Sequence, residues 1–170
     1  PRSAGFNTVD TGAMTEASAV YTMLLMLIGG GSMSTAGGIK LGTFIVLLVA
    51  TYAFLRRREY VTLLNRTVPQ ELVMKALAVT LVTLTLMFLG IFILMILNPL
   101  PFIDITFEVL SASATVGLSR GITAEVTGAS QLVLVFLMFA GRVGPLTLAY
   151  FLATPRKRHI RFPETDIQVG

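Results

Sequence analysis

Two short glycine-centred peptides, Ser3-Ala4-Gly5-Phe6-Asn7 and Thr115-Val116-Gly117-Leu118-Ser119, are where the sequence offers chemistry. An alkali cation leaving water must be offered oxygens of comparable number and field strength. Backbone carbonyls on an extended loop can supply them if successive carbonyls point one way. That calls for a residue tolerant of unusual φ/ψ, hence glycine at the centre. A lone Thr-x-Gly is only a turn. Here the motif is duplicated, each copy precedes an apolar span, and the second follows a short apolar segment fit for a half-helix. All ten residues are therefore candidate ligands of a cation filter, acting through backbone carbonyls.

Two further features could act on such a path. Gly29-Gly30-Gly31-Ser32-Met33-Ser34-Thr35-Ala36-Gly37-Gly38 interrupts an apolar stretch from about Ala17 to Leu55. That composition disfavours continuous helix, and irregular backbone at membrane depth is tolerated only where it faces protein or a watery cavity. A packing notch of small residues is the plainer alternative, but ten residues exceed what packing needs. Arg142 falls within the last apolar stretch. A guanidinium there needs partners, and its five N–H donors could hold several loop carbonyls. Other chemistry finds little support. There is no cysteine, His159 is the sole histidine, and Gly29-Gly30-Gly31 lacks the strand and Lys-Ser/Thr context of a phosphate loop. No span holds paired carboxylates, so the chain reads as a non-enzyme without organic cofactor.

The elements that must position these residues follow from hydropathy. Of the 170 residues 54% are hydrophobic and only 13% charged, with mean hydropathy +0.80. That is the balance of a membrane protein. The first apolar stretch is too long for one span of about 20 residues and reads as helix, broken segment, helix, stopped by Arg56-Arg57-Arg58. A polar connection follows, with Pro69 suited to a helix start. A second span runs from about Val73 to Leu97 and ends at Asn98-Pro99-Leu100-Pro101. Phe102 to Ser113 is too short to span and suits a re-entrant half-helix, with Asp104 as its expected N-cap and its C-terminal dipole aimed at the cation. The last span is expected from about Ala129 to Ala153, before Arg156-Lys157-Arg158-His159-Ile160-Arg161. Basic loops at 56–75 and 156–161, against Asp104, Glu108 and Glu125 in the loop at 98–128, place the first two loops in the cytosol. The net charge of +4 is thus a topology signal, and no nucleic-acid partner is expected. The opening at Pro1, without initiator Met, reads as the C-terminal portion of a longer polypeptide.

The chain also resembles itself. At an offset of 112 residues Gly5 matches Gly117, and the same offset aligns Thr11 with Thr123, Ala17 with Ala129, Ser18 with Ser130, Leu25 with Leu137, Met26 with Met138 and Gly29 with Gly141. Each copy reads as loop, glycine-centred peptide, polar turn and inward-running helix, in parallel orientation.

Ser-Ala-Gly-Phe-Asn-Thr at 3–8, Ser-Thr-Ala-Gly-Gly-Ile-Lys at 34–40 and Gly-Arg-Val-Gly-Pro-Leu-Thr at 141–147 resemble the Trk/Ktr/HKT superfamily of potassium transporters. Phe-Pro-Glu at 162–164 is similar to the Ktr membrane subunit in particular. The resemblance implies an all-α membrane protein of helix–pore-loop–helix repeats, four units on one chain around a single pore, of which this chain carries the last one and a half. Residues 1–58 would end one unit, 59–72 form a cytosolic connection, 73–161 the complete last unit and 162–170 a tail. It implies K+ on the filter carbonyls, and a gate beneath them formed by Gly29, Gly30, Gly31, Ser32, Ser34, Thr35, Gly37 and Gly38, with Arg142 against it. The partners it implies are membrane lipid, a second copy in a homodimer and a cytosolic ring of nucleotide-binding regulatory subunits, at the plasma membrane. A cation-coupled secondary transporter and a sodium-permeable member of the same superfamily are the alternatives.

Overall fold

The computed structural model describes residues 5, 7, 10–31, 37–58, 60–63, 66–144 and 147. Five α-helices account for most of them: α1 (Glu16–Leu27), α2 (Leu41–Leu55), α3 (Gln70–Leu97), α4 (Phe102–Ser113) and α5 (Gly128–Val143). A 3-10 turn at Ile122–Ala124 lies between α4 and α5. The polar connection holds a small departure from all-α architecture, an antiparallel pair Thr62–Leu63 and Arg66–Thr67 with Thr62 opposite Thr67.

Two of the helices start where the sequence supplies a side-chain partner for the free N–H groups. Thr15 and Thr127 cap α1 and α5, their hydroxyls accepting from the N–H of Ser18 and Ser130. These two caps lie at the 112-residue offset and have nearly the same backbone, φ −63°, ψ 153° and φ −61°, ψ 154°. Pro69 precedes α3 as expected. Asp104 departs from its expected place: Pro101 is the N-cap of α4, and Asp104 sits in the first turn. A carboxylate there still faces the positive end of the helix dipole. The described part of the last span reaches Val143 as α5. Gly144 closes α5 with φ +94° and its N–H on the Ala140 carbonyl, and Thr147 is again helical. Apart from Thr147, the remainder of the expected span lies outside the described residues.

α4 is the hub. Its Ile105, Val109 and Ala112 pack with Leu94 of α3 and Leu134 and Leu137 of α5. Its Phe107, with Ala114, Val116 and Leu118 beyond it, packs against Ala19, Met23 and Met26 of α1. The half-helix is thus sandwiched between its own unit and α1. A polar clasp closes the far end: buried Asn98 donates through Nδ2 to the Leu94 carbonyl (2.9 Å) and Ser130 Oγ (2.7 Å), and its Oδ1 accepts the Thr127 N–H (2.9 Å). Asn98→Ala strands buried polar atoms and is expected to lower stability by about 2–4 kcal/mol, read as earlier thermal unfolding in detergent.

α3 has 28 residues and is long and apolar enough to cross a membrane. At 1.5 Å per residue it measures about 42 Å, more than the roughly 30 Å hydrocarbon core. Leu81, Phe88, Phe92 and Ile96 on it are exposed, as expected of side chains whose surroundings are apolar.

Candidate functional site

The Thr115–Ser119 peptide hangs directly from the C-terminus of α4. Thr115 N–H returns to the Ala112 carbonyl (3.0 Å) and Val116 N–H to the Ser111 carbonyl (2.9 Å). That is the double bond pattern of a Schellman ending, whose C′ residue must be left-handed. Thr115 occupies that place with φ +53°, where glycine is usual and a β-branched residue is strained. Its hydroxyl has a use there, accepting the Gly37 N–H at 3.0 Å. Val116 and Leu118 then turn their side chains into the core against α1, and Gly117 between them takes φ +85°.

The first peptide meets the second across this point. Gly5, with φ +67°, lies so close that a Cβ on it would come within 3.1 Å of the Gly117 carbonyl oxygen and 3.2 Å of that of Val116. Both central glycines carry a left-handed backbone, which glycine adopts without a Cβ penalty. The outer end of the second peptide is tied to the first copy, since the Thr11 hydroxyl donates to the Ser119 carbonyl. Arg120 makes a 2.6 Å ion pair with Asp104 and donates to the Met14 carbonyl at 3.3 Å. Asn7 and Gly5 are the described members of the first peptide; Ser3, Ala4 and Phe6 lie outside the described residues.

The interruption between α1 and α2 is closed at its base. Gly29 N–H donates to the Ile39 carbonyl (2.8 Å), Ile39 N–H to that of Leu27 (3.0 Å) and Leu41 N–H to that of Gly30 (3.2 Å). Ile28 and Ile39 form a parallel bridge. Gly29 and Gly37 are forced to be glycine by contact: a Cβ on Gly29 would stand 2.2 Å from the Gly37 carbonyl oxygen, and one on Gly37 2.9 Å from the Ala114 carbonyl. Gly38 has φ +77°, and among the described residues nothing lies within 4 Å of a Cβ built on Gly31. Gly37 thus rests on the end of α4, directly under the Thr115 peptide. Ser32, Ser34 and Thr35 lie outside the described residues.

Arg142 is in the last turn of α5, where its charge complements the negative end of the helix dipole. It is exposed there, rather than enclosed in mid-span. It lines a cavity of about 490 Å³ together with Thr115, Gly117, Leu118 and Ser119. The structure therefore gathers Gly5, Thr115, Gly117, Ser119, Gly37 and Arg142 around one region, with Gly30 and Gly31 at the neck of the interruption. The sequence reading used Asp104 as a helix cap and, with Glu108, as a topology signal, and gave Arg120, Thr11 and Thr123 no role at this site. The available clue was the i, i+4 spacing of Asp104 and Glu108, which sets both on one face of the half-helix.

Comparison with known proteins gives the family. Residues 1–160 match the family model of the TrkH cation transport protein. The chain is 45% identical over 170 residues to Ktr system potassium uptake protein B of Bacillus subtilis, covering all of this chain and 38% of that protein. It is 43% identical over 169 residues to the protein of the same name from Vibrio alginolyticus, covering 99% of this chain and 37% of that one. With the potassium/sodium uptake protein NtpJ of Enterococcus hirae it shares 37% identity over 177 residues, all of this chain and 39% of that protein. The chain thus spans about two-fifths of the length of these relatives. By the extent of that match, it belongs to the TrkH family of cation transport proteins, which are membrane proteins.

Proposed function

We propose that this chain forms part of the membrane subunit of a potassium uptake system and that K+ passes along the backbone carbonyls of the two glycine-centred peptides. The observation that carries the proposal is the pairing of Gly5 and Gly117, both left-handed, one repeat length apart and in contact. Four such peptides around an axis would present rings of carbonyls to a dehydrated cation. α4 aims its C-terminus at this point and adds a favourable dipole.

Packing supports the existence of further units. Ala19, Met23 and Met26 of α1 are covered by α4 and its peptide. The residues at the repeat offset on α5 are Gln131, Val135 and Met138, and all three are exposed. A third unit placed on α5 as α4 is placed on α1 would cover them. The proposed division is 1–58, 59–72, 73–161 and 162–170, with 56–75 and 156–161 in the cytosol and the chain crossing the plasma membrane several times.

The interruption serves as the gate in this reading. Its base sits beneath the Thr115 peptide through the Gly37 contact, and Arg142 borders the same cavity. The names of the two Ktr relatives support potassium as cargo, whereas the name of the Enterococcus relative favours the sodium-permeable alternative. A homodimer with a cytosolic nucleotide-binding ring, docked on the basic stretches, completes the proposed assembly. The test is growth and rubidium uptake of potassium-transport-deficient cells expressing the full-length protein. Rescue at low external potassium supports the proposal; sodium uptake without rescue favours the alternative.

A further inference from the structure

The outer end of the Thr115–Ser119 peptide is held by a hydrogen-bond chain that terminates on a buried carboxyl group. Gly121 N–H donates to Ser119 Oγ at 3.0 Å. Ser119 Oγ and Thr123 Oγ1 are 2.9 Å apart, and Thr123 Oγ1 donates to Glu108 Oε1. A hydroxyl has one proton to give. With the Thr123 proton committed to Glu108, Ser119 must be the donor in the middle link, so the whole chain points at the carboxyl group. Glu108 is only 7% exposed, on the face of α4 that also carries Asp104 and Ser111. Its second oxygen, Oε2, is buried with no hydrogen-bond partner among the described residues, beside the cavity that Gly117, Leu118 and Ser119 also line. Packing alone would not place a carboxyl group there, because burying it costs free energy unless it is satisfied. Leucine would fill the volume without that penalty.

We propose that Glu108 is a positioning residue for the cation path, acting through Thr123 to fix Ser119 and with it the outer carbonyls of the peptide. The role is that of an acceptor. Ser119 is then held from two sides, its carbonyl by Thr11 of the preceding copy and its side chain by the relay to Glu108. A peptide with both anchors keeps one carbonyl geometry, and discrimination between cations of different size depends on that geometry. With the relay cut, Ser119 is free to rotate away while the rest of α4 stays packed.

The proposal rests on the reading of Thr115–Ser119 as a filter, and the experiment separates the two. The measurement is the ratio of potassium to sodium uptake by cells expressing the full-length protein, with membrane abundance measured in parallel. Thr123→Val removes the relay hydroxyl at nearly constant volume, and Glu108→Leu removes the acceptor. Each is expected to lower the ratio about three- to tenfold, the scale of one buried hydrogen bond, at unchanged abundance. The double variant is expected to be no worse than either single one, because both cut the same chain. Thr123→Ser and Glu108→Gln keep the donor and an acceptor and are expected to retain the wild-type ratio. An unchanged ratio in Thr123→Val, or loss of uptake and abundance together with the ratio kept, overturns the role of Glu108. If Gly117→Ser shifts the ratio in the same assay while Thr123→Val does not, only the relay fails; if neither does, the filter reading fails with it.

Discussion

Gly141→Ala is expected to abolish the native packing of α4 on α5. A Cβ at this position would lie 2.0 Å from the carbonyl oxygen of Ser113, 2.9 Å from its carbonyl carbon and 3.4 Å from its Cα. All three are backbone atoms, so no side-chain rotation relieves the overlap. At Gly90, by contrast, the nearest atom is the Leu137 Cδ1 at 2.6 Å, the end of a flexible side chain. Overpacking typically costs about 1–3 kcal/mol, and here it falls at the junction that holds the last turn of α4 and the peptide below it. A loss of about 3 kcal/mol or more is expected, seen as aggregation in size-exclusion chromatography or a large fall in melting temperature in detergent. Gly128→Ala on the same helix is the control. Nothing lies within 4 Å of that site, and alanine is favoured over glycine in a helix by about 0.5–1 kcal/mol, so stability is expected to hold or rise.

Deleting residues 29–38 is expected to raise potassium uptake. The base of the interruption holds the two ends of this deletion together. Ile28 and Ile39 are bridged in parallel, so their Cα atoms are about 4.8 Å apart, the spacing of neighbouring strands. A trans peptide joins Cα atoms 3.80 Å apart. The ends of α1 and α2 are thus close, and rejoining them calls for a local change of chain direction at the parallel junction. What is lost is the segment whose Gly37 N–H the Thr115 hydroxyl accepts. If that segment obstructs the path, its removal gives a severalfold rise in uptake with protein still in the membrane. If it is only a packing notch, the deletion instead lowers abundance and uptake together.

Much of the architecture was legible because each element has a strong local signal. The breaks at Gly29–Gly38 and Asn98–Pro101 and the apolar run of α3 fixed helix ends to within about three residues, and α4 spans the same residues as the expected half-helix. Where signals were weak, the expectation slipped. Asp104 was expected to cap α4 because its carboxylate is a good acceptor, yet the chain enters the helix at Pro101 and Asp104 pairs with Arg120 instead. The break at Gly144, with φ +94°, is one that a hydropathy window over the last span does not see. The long-range ties were not legible at all. Thr115 to Gly37, Thr11 to Ser119 and Glu108 to Thr123 depend on which faces the packed units bring together, and nothing in residue spacing fixes that. The left-handed Thr115 shows why: the rule for a helix end asks for glycine, and threonine is explained only once its hydroxyl is seen to reach the neighbouring segment.

The most direct test of the cation path is the potassium-to-sodium uptake ratio of the full-length protein with Gly117 replaced by serine. Gly117 has φ +85°, and any side chain there faces about 1–2 kcal/mol of left-handed strain, enough to shift the carbonyl geometry roughly tenfold in population. The account expects Gly117→Ser to reach the membrane at wild-type abundance and to lose most of its preference for potassium. A wild-type ratio at wild-type abundance would contradict the assignment of Thr115–Ser119 as the filter.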